Sequence, residues 1–86
     1  MTIADLRKEI DELDEQLLKT LAKRMSLALE VAKHKKENGI PLKQPEREEQ
    51  LVSYRKQMAK ELGLSENFVE ELWKAIIKES LRIEEK

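Results

Sequence analysis

The sequence predicts an all-α chain of three helices, the first far longer than the other two. Three observations carry that prediction. Apolar residues recur at the helical period through Ile3, Leu6, Ile10, Leu13, Leu17, Leu21, Ala28 and Val31, with no Gly or Pro among them. Charged residues make up 41% of the chain and aromatic residues 3%, with Lys, Glu and Leu dominating, the profile of long helices and coiled coils. The glycines and prolines stand only at Gly39, Pro41, Pro45 and Gly63, where they punctuate the chain into three segments.

The first helix is expected over residues 3–36. Thr2 can cap it, and Asp5 falls in the first turn, where the helix dipole favours an acid. Some 34 residues make a rod about 50 Å long, whereas a compact chain of 86 residues has a radius of gyration near 12 Å by the usual scaling, roughly. Such a rod cannot bury its apolar stripe within its own chain, so the cover must come from another copy or another protein. Asn38-Gly39 is a helix stop, and residues 37–44 form a connection holding Pro41. Pro45 suits a first helical position and Glu46 and Glu48 suit a first turn, so the second helix is expected over 45–62. Its apolar face reads as Leu51, Tyr54, Met58 and Leu62. Gly63 ends it, and Ser65 caps a third helix over 66–84 with Phe68 or Val69, Leu72, Ile76 and Ile83 facing inward. No repeat or linker divides the chain, which reads as one domain, 1–86.

Composition narrows the function. A net charge of −1 gives no basic field for nucleic acid. The absence of cysteine leaves no disulfide framework and no thiolate metal site, and fits a reducing cytoplasm. No apolar run approaches the ~18 residues that span a bilayer, so a soluble cytoplasmic protein without membrane contact is expected. His34, the one histidine, has no second ligand at helical spacing and reads as a surface residue rather than a metal ligand or a base.

Several polar residues occupy apolar rows. Arg24 and Lys35 continue the stripe of the first helix; they are 11 residues apart and therefore point within about 20° of each other. In the third helix Trp73, Ile77, Ser80 and Glu84 form a second inward row at 4-3-4 spacing. Arg47 lies one turn before Leu51 and points inward beside the loop, with Glu48 next to it. Arg7 is about 25 Å before Arg24 and rotated by about 100°, so it reaches the Arg24 pocket only from an antiparallel partner. Each has a plain explanation: intramolecular salt bridges for Arg24, Lys35 and Arg47, a fraying end for Ser80 and Glu84, a first-turn acid for Glu48, a solvated surface for Arg7. Taken together they gather three or four cations in a helical core, which calls for a small polyanion, with no metal or nucleophile to process it.

These residues resemble the all-helical (AroQ-type) chorismate mutases. The matching run is L-R-K-E-I-D-E-L-D-E-Q-L-L from Leu6 to Leu18, the A-K-R ending at Arg24, the V-A-K-H-K ending at Lys35, I-P-L at 40–42, P-E-R-E at 45–48 and I-I-K-E-S at 76–80. The resemblance covers nearly the whole chain. It implies an intertwined helical homodimer, two equivalent sites, and the Claisen rearrangement of chorismate to prephenate with no cofactor, metal or covalent intermediate. It further implies that Arg24 and the partner's Arg7 hold the two substrate carboxylates and that Lys35 donates to the ether oxygen. Arg47 would help bind the carboxylate region, Glu48 would accept from the ring hydroxyl, and Ser80 would contact a carboxylate or support the arginines.

Two positions depart from the commonest pattern. Glu84 stands where many members have Gln as the second ether-oxygen donor. A carboxylate cannot donate, so Glu84 is expected to act protonated, favoured by burial and opposed by Lys35. Gln44 replaces an Asp that caps the second helix and helps meet the substrate hydroxyl; its backbone N–H survives the change. The competing readings are isochorismate-pyruvate lyase of the same fold and a non-catalytic helical dimerisation module. A stand-alone, unregulated form is expected, with a partner enzyme of aromatic biosynthesis left open.

Overall fold

The computed structural model describes residues 1–86 as three helices and no strand: α1 (Ile3–Glu37), α2 (Pro45–Glu61) and α3 (Glu66–Glu84). Each boundary has a local cause. At the start of α1 the Thr2 side chain accepts from Asp5 N–H at 3.2 Å while the Asp5 carboxylate accepts from Thr2 N–H at 2.9 Å, a reciprocal capping box. Two left-handed glycines, Gly39 at φ 65° and Gly63 at φ 75°, follow the ends of α1 and α2, a conformation that a Cβ disfavours. Pro45 opens α2 and the Ser65 hydroxyl caps α3 by accepting from Phe68 N–H at 3.3 Å. α1 runs one residue past the expected end, and Leu62 is the C-cap of α2 rather than its last residue.

α3 is the middle element. It packs against α2 on one side and the C-terminal half of α1 on the other, and α1 and α2 do not approach each other. The core is correspondingly thin: Ala28 and Ala32 from α1, Val52 and Ala59 from α2, and Val69, Ile76 and Ile77 from α3. The second row of α3 does face inward, with Ile77, Ser80 and Glu84 buried and Trp73 half-buried.

Two assignments of facing residues change. The row of α2 that meets α3 is Glu48, Val52, Arg55 and Ala59; of the expected face, Leu51 is half-buried while Tyr54, Met58 and Leu62 are turned to solvent, Tyr54 62% and Leu62 71% exposed. Both rows have helical spacing, and Ala59 is small enough to let the two backbones close up where a Met would hold them apart. In α3, Val69 is the one of the two alternatives, Phe68 or Val69, that faces inward, and the change is at Leu72, which is left on the surface.

The whole is elongated, 55 × 24 × 15 Å, with a radius of gyration of 16.0 Å against roughly 12 Å for a compact chain of this length. The excess is the N-terminal half of α1. Residues 1–20 are exposed throughout, and Ile3, Leu6, Ile10, Leu13 and Leu17 keep 45–66% of their surface in water. No helix is long and apolar enough to cross a membrane.

Candidate active site

α1 and α3 bring four of the expected residues together. Arg24 Nη1 donates to Ser80 Oγ at 2.8 Å. The Ser80 hydroxyl in turn donates a hydrogen bond to the Ile76 carbonyl at 3.0 Å, with Met25 Sδ beside it at 3.5 Å. One turn further along α3, Glu84 Oε2 lies 4.0 Å from Lys35 Nζ, and Lys35 also donates to the Leu42 carbonyl at 2.7 Å, tying the connection to α1. Ser80 and Glu84 are only 8% and 6% exposed. The spacing on α1 places Arg24 and Lys35 about 16 Å apart along the axis, against about 6 Å for Ser80 and Glu84. Long cationic side chains leaning along α1 close that difference.

The electrostatics favour an anion. Arg24 has no carboxylate partner within ion-pairing distance and leans on a neutral hydroxyl. Its guanidinium sits below its ordinary value, first because burial strips water from it, then because the charge of Arg55 repels it; the Glu84 carboxylate pulls the other way. Only Lys35 has an acid within ion-pairing distance, and at 4.0 Å that pair is loose.

Arg55 is the residue that sequence reasoning missed. Its guanidinium carbon lies 5.8 Å from the centre of the Trp73 ring and 5.7 Å from that of Tyr54, and its Nη1 meets Met58 Sδ at 3.7 Å. The signal was present as the 4-3-4 row Glu48–Val52–Arg55–Ala59, in which Arg55 stands between two buried residues. A lone Arg on a charged helix is solvated by default, which hid it.

The other expected residues are not part of this cluster within one chain. Arg7 is exposed on the free half of α1. Arg47, expected to point inward, is exposed and forms no hydrogen bond or ion pair, because it falls off the row that meets α3. Gln44 is the N-cap of α2 without a side-chain hydrogen bond; its carbonyl accepts from Glu48 N–H at 3.0 Å. Glu48 is half-buried, with Oε2 buried and unpartnered. A groove of about 1420 Å³ between α2 and α3 includes Glu48, Val52 and Ile77 but none of the four clustered residues. Its walls interleave Lys and Glu, and Lys56–Glu70–Lys74 pair across them, so it reads as a solvated seam rather than as the anion site. His34 is exposed, and no group of His, Asp and Glu is arranged to hold a metal ion.

The profile of the family described as chorismate mutase type II matches residues 6–85, the span that contains every clustered residue. The chain belongs to this family. Among chorismate mutases and their relatives, it is 39% identical over 75 residues to the chorismate mutase of Methanocaldococcus jannaschii, covering 87% of this chain and 76% of that protein. It is 36% identical over 80 residues to the 4-amino-4-deoxychorismate mutase of Streptomyces venezuelae, covering 93% and 78%. It is 37% identical over 78 residues to the T-protein of Haemophilus influenzae, covering 91% of this chain but 21% of that protein, so the chain spans about a fifth of the T-protein's length.

Proposed function

We infer that the chain is a chorismate mutase of phenylalanine and tyrosine biosynthesis, converting chorismate to prephenate. The observation that carries this is the arrangement of Arg24, held by Ser80 and paired to no acid, beside Lys35 and Glu84 at a buried helix interface. The rearrangement breaks an ether C–O bond as a C–C bond forms, with no proton transferred and no covalent adduct to the protein. Its demands are a substrate held in its compact conformer and positive charge where the ether oxygen turns negative. Arg24 meets the first by gripping a carboxylate, in the forked geometry that a guanidinium allows. Lys35 meets the second. Bound substrate would take Lys35 from its loose partner Glu84 and the Leu42 carbonyl.

The remaining roles complete this reading. The partner's Arg7 takes the other carboxylate in an intertwined homodimer, which also covers Ile3, Leu6, Ile10, Leu13 and Leu17; each gains on the order of 1 kcal/mol as its exposed surface is buried. Arg47 closes over the carboxylate region once the second chain is in place. Glu48, with its unpartnered oxygen, accepts from the ring substituent, and Gln44 offers its backbone N–H. Glu84 stands beside Lys35 at the ether-oxygen end of the pocket. An ammonium would satisfy Glu48 as well as a hydroxyl does, so the amino analogue named in the Streptomyces venezuelae relative is the second substrate to try. No observation favours the lyase or the non-catalytic module.

The test is loss of chorismate with product identification, run with Arg24→Ala in parallel. Prephenate from the wild type and a fall of at least about a hundredfold in kcat/KM for the variant are expected, the cost of about 3 kcal/mol for a charge-assisted carboxylate contact. A folded wild type that leaves chorismate unchanged contradicts the assignment.

A further inference from the structure

The residues assigned above leave one charged group beside the site without a task, Arg55. It lies on the row of α2 that faces α3, between buried Val52 and Ala59. Its guanidinium is held by soft partners alone: the ring faces of Trp73 and Tyr54, at 5.8 and 5.7 Å, and the sulfur of Met58. These fix its direction and leave its charge unneutralised, since no carboxylate pairs with it. Arg24 likewise forms no ion pair; burial first, and then the charge of Arg55, disfavour its charged form, while the Glu84 carboxylate offsets part of this. Trp73, which carries the Arg55 guanidinium, stands on the same inward row of α3 as Ser80, which holds Arg24, so the two cations face one interface and an anion entering it relieves their repulsion. Other arginines and lysines of the chain are treated differently: Arg82 forks onto Glu79 and Lys56 and Lys74 share Glu70.

We propose that Arg55 is a further substrate-binding residue of the mutase site, a second guanidinium from the same chain that attracts and orients the substrate dianion beside Arg24. This rests on the chorismate mutase reading. Its charge acts on bound substrate throughout the reaction and far from the breaking ether bond, so it strengthens ground state and transition state alike and belongs to KM rather than to kcat.

The experiment is steady-state chorismate kinetics on the full chain for wild type, Arg55→Gln and Arg55→Lys, at low and high ionic strength, with thermal melts and oligomeric state measured alongside. Arg55→Gln is expected to raise KM about tenfold while kcat stays within about twofold, the span of one charge-assisted contact. It is also expected to flatten the dependence of KM on salt. Arg55→Lys, which keeps the charge, is expected to recover most of the loss. A purely structural role predicts a lowered melting temperature or a dissociated oligomer with no recovery by Lys, and that pattern overturns the proposal. So does a KM for Arg55→Gln within about twofold of the wild type. If the wild type itself leaves chorismate unchanged, this inference falls together with the function; if it makes prephenate and Arg55→Gln keeps its KM, only this inference falls.

Discussion

At the scale of single residues, the chemistry is concentrated in cations that have no acid partner or only a loose one. Arg24 leans on the Ser80 hydroxyl and Lys35 stands 4.0 Å from Glu84. Arg24 and Lys35 were legible in the sequence because cations on an apolar row are out of place, and Ser80 and Glu84 because they continue a row begun by Trp73 and Ile77. Arg55 was not, because its row reads Glu, Val, Arg, Ala and carries too little apolar signal to announce a buried face. Glu84 carries the sharpest expectation at this scale. Glu84→Gln puts an amide donor one turn from Ser80 and facing Lys35, and turnover should be kept or raised. A folded Glu84→Gln variant that loses turnover would show that the carboxylate itself is required.

At the scale of elements, the three helices were legible almost to the residue because each end carries its own signal: Thr2 with Asp5, Gly39, Pro45, Gly63 and Ser65. The facing of α2 was not. Periodicity identifies two rows, and which one meets α3 depends on shape: Ala59 allows close approach, and the larger Leu51, Tyr54 and Met58 do not. Capping also sets an acid response. Asp5 is held below the usual carboxylate range by the Thr2 backbone and hydroxyl, and Glu79 by its forked hydrogen bonds with Arg82 at 2.6 and 2.8 Å. Both folded-state values lie below the unfolded ones, so the stability they add is present above about pH 4.5 and is lost as the pH falls through the folded values. Melting temperature should be level from about pH 7 to 5 and decline below about pH 4, and Arg82→Ala should reduce part of that decline without touching turnover. Both groups are solvent-exposed, so the effect is small and should weaken further in salt.

At the scale of the whole molecule, the chain is elongated, with a thin core and a bare apolar stripe on α1 that a second chain would cover. The sequence implied as much, since a rod of about 50 Å cannot be covered by two shorter helices. The exposed Tyr54, Met58 and Leu62 of α2 belong to the same account: they are turned away from α3, as a surface awaiting a second chain would be. Leu13→Glu puts a charge in the middle of the α1 stripe. It is expected to shift the protein towards monomer in sedimentation and to abolish turnover, although Arg24, Lys35, Ser80 and Glu84 are untouched. A monomeric Leu13→Glu with full activity would remove the second chain from the site.

The central claim, that a site needs Arg24 from one chain and Arg7 from the other, is tested most directly by complementation. Arg7→Ala and Arg24→Ala should each be nearly inactive alone. In a mixed dimer one site carries both lesions and the other carries neither. Unfolding the two together and refolding them should therefore return about a quarter of the wild-type rate, the share expected when subunits assort at random in a two-fold dimer. A mixture no more active than its components would mean that Arg7 and Arg24 do not meet across an interface.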